Sequence, residues 1–313
     1  MNLSFSKHYK DIKKRGINEF FRKFISLSDR IFQLPFYFLA PILFLIIFFL
    51  KNLILIRFCS TRSGRIGHFA SNIDSYIHRK HSADESKKNQ SILDIFYNDK
   101  EVCNNFLNKK WKKEIIIFPR IVIEPLVKFI IFFCNIAGIN NTFVFNLRTY
   151  HQNYKSLFNK FKPFLKLDEE EIGNGKNFLK SLSIDDDAKI VLLIVRDSAY
   201  LETVYPAQDY SYHSYRNIDI KDFEEAAIYL AEMGYYVFRM GKIVKDKFNV
   251  KHKKIFDYAN MKERSDFLDI FLCSICSFAI STSTGIDGVV SVFKKLFGSI
   301  IAPIGHANST PNV

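Results

Sequence analysis

Four short segments carry the residues able to do chemistry. Val191-Leu-Leu-Ile-Val-Arg-Asp-Ser-Ala-Tyr200 places Arg196 and Asp197 directly after an apolar run, and Gly234-Tyr-Tyr-Val-Phe-Arg-Met-Gly241 does the same with Arg239. Ile280-Ser-Thr-Ser-Thr-Gly-Ile-Asp287 supplies Ser283, Thr284, Gly285 and Asp287. Tyr212-His-Ser-Tyr-Arg-Asn217 gathers His213, Arg216 and Asn217 in one polar loop, where they read as substrate-facing. Arginine at a strand end can present its planar fork to a phosphate or carboxylate, or it can close a surface salt bridge. A turn rich in hydroxyls and glycine ahead of a helix is a nest for phosphate or diphosphate, and equally an ordinary capped turn. These groups hold anions and hydroxyls rather than metals. The chemistry in view concerns an anionic, sugar-like or nucleotide-like molecule.

A fifth segment, Ser60-Thr-Arg-Ser-Gly-Arg-Ile-Gly-His68, adds Arg65, Gly67 and His68. Its Gly64-x-x-Gly67 lacks the spacing of a dinucleotide fingerprint and reads equally as a tight turn. His68 and Asp197 are the candidates for proton transfer, because imidazole titrates near neutral pH and a carboxylate can be tuned there by burial. No H-E-x-x-H, nucleophile elbow, Walker A or kinase signature occurs. Serine-triad hydrolysis and the usual phosphoryl transfers are thereby disfavoured. The eight histidines form no evident metal set. No metal and no resident cofactor are expected.

Strands must deliver these groups. Lys189 to Val195 is a continuous apolar run, the pattern of a strand buried on both faces. Asp219 to Met233 is helical, with Phe223, Ala226, Ala227, Leu230 and Ala231 on one side, Asp219 as cap and Gly234 as terminator. Strands follow at Tyr235 to Met240, Phe278 to Ser281 and Ser299 to Ala302, with helices at Ser265 to Cys273 and Gly288 to Leu296. Strand–helix units in series predict a parallel sheet with right-handed crossovers, whose ligand lies at the carboxyl ends of the strands.

Upstream, Leu53 to Phe58 is a strand, followed by the glycine loop and a helix from Phe69 to about Arg79. That order opens a second doubly wound unit, with further strands at Ile115 to Phe118 and Thr142 to Phe145. The polar run from Lys80 to Gln90 reads as a loop. The acids Asp168 to Glu171, with Gly173 and Gly175, mark a linker or a helix start. The expected division is 52–172 and 173–313, behind a leader and membrane-associated helix at 1–51. The second domain ends at Gly305 to Val313, one or two units short of a full doubly wound set.

The charge of +13, from 45 Lys+Arg against 32 Asp+Glu, favours anionic partners such as nucleic acid, anionic lipid or phosphorylated substrates. Without a nucleic-acid motif, and with lysine spread widely, nucleic acid is not the expected partner. The five cysteines, Cys59, Cys103, Cys134, Cys273 and Cys276, are odd in number and form no framework, which fits a reducing compartment. Cys273-x-x-Cys276 is a single pair in an apolar run and reads as two buried thiols.

Ile31 to Leu50 carries no charge over a length that can cross a bilayer. Pro35 and Pro41 predict bends in it. The basic segment before it is too long for a signal-peptide leader, and no small-residue cleavage site follows. Three arrangements compete: a transmembrane anchor, a kinked helix in the interface, and an internal core helix. The basic leader favours a cytoplasmic N-terminus, and Lys51 and Arg57 make the far flank basic too. A re-entrant or interfacial helix keeps both flanks cytoplasmic and is the arrangement expected. A second apolar segment, Ile121 to Ala137, holds Glu124 and Lys128 four apart on one side. It reads as an amphipathic helix that touches membrane or packs between domains.

Taken together, Arg62-x-x-Arg-Ile-Gly-His-Phe-Ala-x-Asn72, Arg196-Asp-Ser-Ala-Tyr200, Tyr212-His-Ser-Tyr-Arg-Asn-x-Asp219, Gly234-Tyr-Tyr-Val-x-Arg-Met-Gly241, Asp257-Tyr-Ala259, Arg264-Ser-Asp-Phe267 and Ile280-Ser-x-x-Thr-Gly-Ile-Asp287 resemble a bacterial glycosyltransferase family. Its members lie in surface-polysaccharide gene clusters. The likeness runs from about Leu53 to Asp287, and family members continue well past that last segment.

The resemblance implies a GT-B-like pair of Rossmann-like domains, acceptor on the first and nucleotide-sugar on the second. It implies that Arg65, Gly67 and His68 fall at the cleft, and that Arg196, Arg239, Ser283, Thr284 and Gly285 face the donor diphosphate. The implied reaction is metal-independent transfer of a sugar from a nucleotide-sugar to a glycan or lipid-linked acceptor, at the cytoplasmic face of the inner membrane. The other classes open to the chain are an inactive relative acting as a membrane-associated assembly component, and a basic membrane-surface protein without catalysis.

Overall fold

A computed structural model of the chain describes residues 17–82, 91–151, 162–206 and 208–300. The leader up to Arg15, most of the polar run (83–90) and the terminal Gly305 to Val313 lie outside the described residues. In chain order the main elements begin with α1 (Ile17–Leu50), β1 (Ile54–Ser60), α2 (Ile66–Ser82), β2 (Ser91–Tyr97), α3 (Asn105–Glu114), β3 (Ile117–Phe118) and α4 (Arg120–Ala137). They continue with α5 (Glu169–Ser181), β4 (Ile190–Ile194), α6 (Ala199–Val204), α7 (Glu224–Glu232) and β5 (Tyr236–Arg239). The last are β6 (Ile255–Phe256), α8 (Asp266–Ile275), β7 (Phe278–Ser281), α9 (Asp287–Val292) and β8 (Leu296–Ser299). Two Rossmann-like α/β domains, each built on a parallel sheet flanked by helices, follow one long apolar helix.

Among the described residues, 17–59, 91–98 and 116–145 form one compact unit, and 60–82, 99–115 and 146–300 form the other. In the first unit the sheet order is β1-β2-β3, and β2 pairs in parallel with β3. The strand expected over Thr142 to Phe145 is reduced to a parallel bridge, in which Phe58 exchanges backbone hydrogen bonds with Phe143 and Phe145 around Val144. The core of this unit joins Ala40, Phe44 and Ile47 of α1 to Phe58 of β1 and to Ile123, Val127 and Ile130 of α4. α1 continues through both Pro35 and Pro41. Each proline lacks the N–H that would reach the carbonyl four residues before it, so the ladder loses two bonds without ending. Leu27–Leu50 is long and apolar enough to cross a membrane, and most of it is exposed.

In the second unit five parallel strands lie in the order β6-β5-β4-β7-β8. Counted from β4 this is 3-2-1-4-5, the doubly wound order, and the strand order reverses between β4 and β7. Local chemistry sets the helices. Asp168 accepts from the Glu171 amide at 3.0 Å while Glu171 accepts from the Asp168 amide at 2.8 Å, so the acidic run is the capping box of α5. Ser265 caps α8 by accepting from the Leu268 amide, and Asn104 caps α3 by accepting from that of Leu107. Asp219 accepts from Lys221, starting a 3-10 turn (Ile220–Phe223) that runs into α7, and Gly234 turns away at φ 96°.

The end of the second unit corrects the expected helix Gly288 to Leu296 and the strand Ser299 to Ala302. α9 stops at Val292, Lys294 takes φ 58°, and Leu296–Ser299 is already β8, paired with β7. The apolar run Val289 to Phe293 carries a helical pattern up to that point. Pairing with β7, which satisfies a row of backbone groups, then takes the chain into a strand.

Candidate functional site

At the switch point, Arg196 leaves β4 while Ser281 to Gly285 leave β7. The two ends are joined by the fully buried Thr282, whose hydroxyl accepts the Arg196 amide at 2.8 Å and whose own amide donates to Ile194. The turn after β7 is built by Asp287. Ser281 donates its hydroxyl to this carboxylate at 2.6 Å, and the Thr284 amide donates to it at 2.9 Å. The Ser281 hydroxyl in turn accepts from the Ser283 amide at 3.1 Å. Ser283 adopts φ 62°, a left-handed conformation that a nest of amides requires. Burial pushes the Asp287 carboxyl up to about 7, against the pull of these hydrogen bonds.

Glycine lets a second chain segment reach this turn. A Cβ on Gly67 would stand 2.7 Å from the Gly285 carbonyl oxygen, and one on Gly288 would stand 3.0 Å from the Gly67 Cα. The first turn of α2 therefore passes backbone against backbone with the start of α9. This brings Arg65, Gly67 and His68 beside Ser283, Thr284 and Gly285, although more than two hundred residues separate them in sequence. His68 sits half-buried in that first turn of α2.

Three guanidinium groups gather here. Arg196 is held below the usual arginine range first by burial and then by the charge of Arg216, with Arg65 adding to the effect and Asp197 opposing it. Arg216 donates to the Ser283 carbonyl at 2.9 Å. Arg65 lies 5.0 Å over the Tyr210 ring; burial works against its charge, and hydrogen bonds with Tyr210 and Tyr212 more than offset that. Among the described residues neither Arg65 nor Arg196 makes an ion pair, and the Arg196 Nε is buried with no hydrogen-bond partner. Like charges set this close, with no ion pair to Arg65 or Arg196 among the described residues, make a positive potential that attracts anions.

The remaining expected residues fall elsewhere. Asp197 points toward β5, where its carboxylate accepts from the amides of Ala199 and Lys245 at 2.9 Å and lies 3.8 Å from Arg239. The Arg239 side chain is 1% exposed and donates to Asp257 at 3.2 Å. Asp257 also accepts from Phe248 and Asn260. The structure thus separates the expected donor set into a switch-point group and an Asp197–Arg239–Asp257 latch one strand away. Asn217 is exposed and donates its amide to Ser214 at the end of a 3-10 turn. His213 lies in that turn, and its side chain lies outside the described ones.

Sequence reading missed Thr282, Tyr205 and Tyr210. Tyr205 donates its hydroxyl to the Gly64 carbonyl at 2.8 Å. The signals available were the hydroxyl run of Ser281 to Thr284 for Thr282 and the density of tyrosine between Tyr200 and Tyr215 for the other two. The motif pieces Asp257-Tyr-Ala259 and Arg264-Ser-Asp-Phe267 fold into a buried network in which Asp269 accepts from Tyr258 and Arg264. Among the described residues no group of three or more His, Cys, Asp and Glu could hold a metal ion. The five cysteines are free and buried, as expected for Cys273 and Cys276.

The fold defines a class: Rossmann-like α/β domains behind an apolar helix, here with three arginines gathered at the switch point of the second sheet. No protein-family model matches the chain, and no curated protein matches it. Two solved structures are similar to it. The ADP-heptose lipopolysaccharide heptosyltransferase II of E. coli is 12% identical, with a TM-score of 0.43 over 77% of this chain and 83% of that one. A glycosyl transferase family 9 protein of Veillonella parvula is 11% identical, with a TM-score of 0.46 over 79% of this chain and 80% of that one.

Proposed function

We propose that the protein is a GT-B-like glycosyltransferase that binds the diphosphate of a nucleotide-sugar at the switch point and passes the sugar to a glycan or lipid-linked acceptor. One observation carries this reading: Arg65, Arg196 and Arg216 converge on the Ser281–Asp287 turn, and among the described residues no carboxylate is paired to Arg65 or Arg196. The family resemblance of the same segments points the same way. In this reading residues 52–172 form the acceptor domain and 173–313 the donor domain.

Each residue then has a task. Ser283, Thr284 and Gly285 of the turn and the three arginines face the phosphates; the Ser283 and Thr284 amides are engaged inside the turn, which Asp287 holds in shape. The acceptor hydroxyl attacks the anomeric carbon as the bond from that carbon to the diphosphate breaks, and His68 takes the hydroxyl proton. The developing charge on the leaving diphosphate meets fixed positive groups that need no rearrangement, which is the main source of rate in such sites. The Asp197–Arg239–Asp257 latch fixes the loop beside β5, and in this reading His213 and Asn217 face the acceptor. The groups suffice for metal-independent transfer with the nucleotide-sugar as co-substrate. The apolar helix and the basic charge support membrane association, and in this reading the reaction runs at the cytoplasmic face of the inner membrane, within reach of a lipid-linked acceptor.

The test is calorimetric titration of the purified chain with a panel of nucleoside diphosphates and nucleotide-sugars, followed by turnover with lipid extracts. Binding that Arg196→Ala weakens is the expected result. Well-folded protein that binds none of the panel would overturn the reading. Binding without turnover would leave a nucleotide-sugar-binding relative that does not catalyse.

A further inference from the structure

The apolar segment of α1 does not stand clear of the protein. α1 and α4 run parallel: Gln33 donates to Glu124 at 2.9 Å, and Arg120 bridges Asp29 to Glu124. Further along, Phe44 meets Phe129 and Phe133 at 5.9 and 5.2 Å between centroids. One narrow stripe of α1, with Gln33, Ala40, Phe44 and Ile47, is buried against this neighbour. α4 is itself the crossover from β3 to the Phe58–Val144 bridge, and its other side packs on the sheet. The rest of α1 is open and apolar, with Phe32 65%, Phe38 79% and Phe49 77% exposed. α4 extends that face with Phe132 at 62% and Ile136 at 72%.

A spanning helix must be surrounded by hydrocarbon or by other spanning segments. Crossing would here carry α4 along, with Arg120, Glu124 and Lys128, and would draw in β1 with its Arg57–Asp94 ion pair. Each such charge costs roughly 3 kcal/mol at mid-bilayer. The exposed apolar surface covers α1 everywhere except the stripe that meets α4, and continues onto α4 at Phe132 and Ile136. The charged side chains bordering it are net basic, Arg30, Lys51, Arg120 and Lys128 against Asp29 and Glu124, with both acids paired to Arg120 and Glu124 also to Lys128.

We infer that α1 and α4 lie side by side in the plane of an anionic membrane surface, with both ends of the apolar segment on the same side of the bilayer. Their outer faces sink to about the depth of the headgroup–acyl boundary, some 5–10 Å. Arg30, Lys51 and Lys128 stay at the level of the acidic headgroups. This inference rests on the first unit alone and stands or falls apart from glycosyl transfer.

Two measurements on the full-length chain test it. In flotation, vesicles containing phosphatidylglycerol should carry the protein and vesicles of phosphatidylcholine alone should carry much less. Phe38→Glu and Phe132→Glu should each reduce the floated fraction at least about tenfold, the value of one lost phenylalanine insertion. Both variants should melt at the wild-type temperature, since both side chains are exposed. Undiminished flotation of the variants would overturn the inference. So would failure of the wild type to float while forming dimers that Phe38→Glu breaks, which would make the face an interface between copies.

The second measurement separates lying from crossing. The native cysteines are buried, so Ser28→Cys and Asn52→Cys can be labelled singly. Along the helix these positions are about 36 Å apart, a bilayer's thickness. In intact cells a membrane-impermeant maleimide should treat both alike. Labelling of one and protection of the other would overturn the in-plane arrangement.

Discussion

Arg196 and Arg239 end adjacent parallel strands of one sheet, yet their surroundings are opposite. Arg239 is buried and met by two carboxylates, Asp257 at 3.2 Å and Asp197 at 3.8 Å. Arg196 is half-buried beside Arg216 and Arg65, and its nearest carboxylate, Asp197, turns to the other side. Arg264 repeats the first pattern, with Asp269 and Asp266 as partners. An arginine answered by carboxylates holds the fold together. One surrounded by like charge costs stability, and in the proposed function an anion answers it.

The sharpest way to break this comparison is to remove a carboxylate from the answered side. Asp257→Ala leaves the buried Arg239 with only its longer partner, and the loss of stability should be roughly 3–5 kcal/mol by chemical denaturation. A loss below 1 kcal/mol would mean that the latch does not carry the fold. Arg196→Ala should behave in the reverse manner. Its stability should stay within about 0.5 kcal/mol of wild type. Binding of a nucleoside diphosphate should weaken by about 1.5–3 kcal/mol, roughly ten- to a hundredfold. If the two variants gave the same pattern, the division between the two arginines would fail.

Gly67→Ala probes the contact that assembles the anion side. Its Cβ meets backbone rather than a flexible side chain, so the two segments must part. A stability loss of about 1–3 kcal/mol is expected, with weaker diphosphate binding beside it. Unchanged binding would detach the α2 segment from the site.

The smallest effect is a pH dependence. Asp287 is raised by burial to about 7 from an ordinary 3.8, so the folded chain holds this proton more tightly than the unfolded chain does. Its protonation contributes stability that is fully present below about pH 3.8 and is lost as pH rises through about 7. Asp287→Asn should flatten the stability profile between those two values. An unaltered slope would remove Asp287 from the account.

Much of the second unit was legible in the residues. The apolar run before Arg196 became β4 within a residue at each end, and Gly234 closed its helix with a positive φ. The acidic run resolved into a capping box, a signal that depends on only four residues. Four elements went unread, one of them the six-residue α6. β2 lacks a clean alternation, β6 is only two residues long, and α3, with Lys109, Lys110, Lys112 and Lys113, reads as a polar stretch until it packs on α8. At the other end of the chain, twenty uncharged residues announced an apolar helix without saying how it lies. That depended on α4, some eighty residues away, filling one stripe of it.

The sequence by itself determined which groups stand at the strand ends, because a continuous apolar run sets a buried strand and the next residues must follow it out. It also determined the apolar helix, because length and the absence of charge are local properties. Only the tertiary structure decided which arginine is answered. The carboxylates that meet Arg239 come from β4's end and from the turn after β6, and the glycine that admits Arg65 comes from a different helix altogether. Charge pairing acts through space over a few ångströms, so it is settled by which segments the fold brings together and not by their order in the chain.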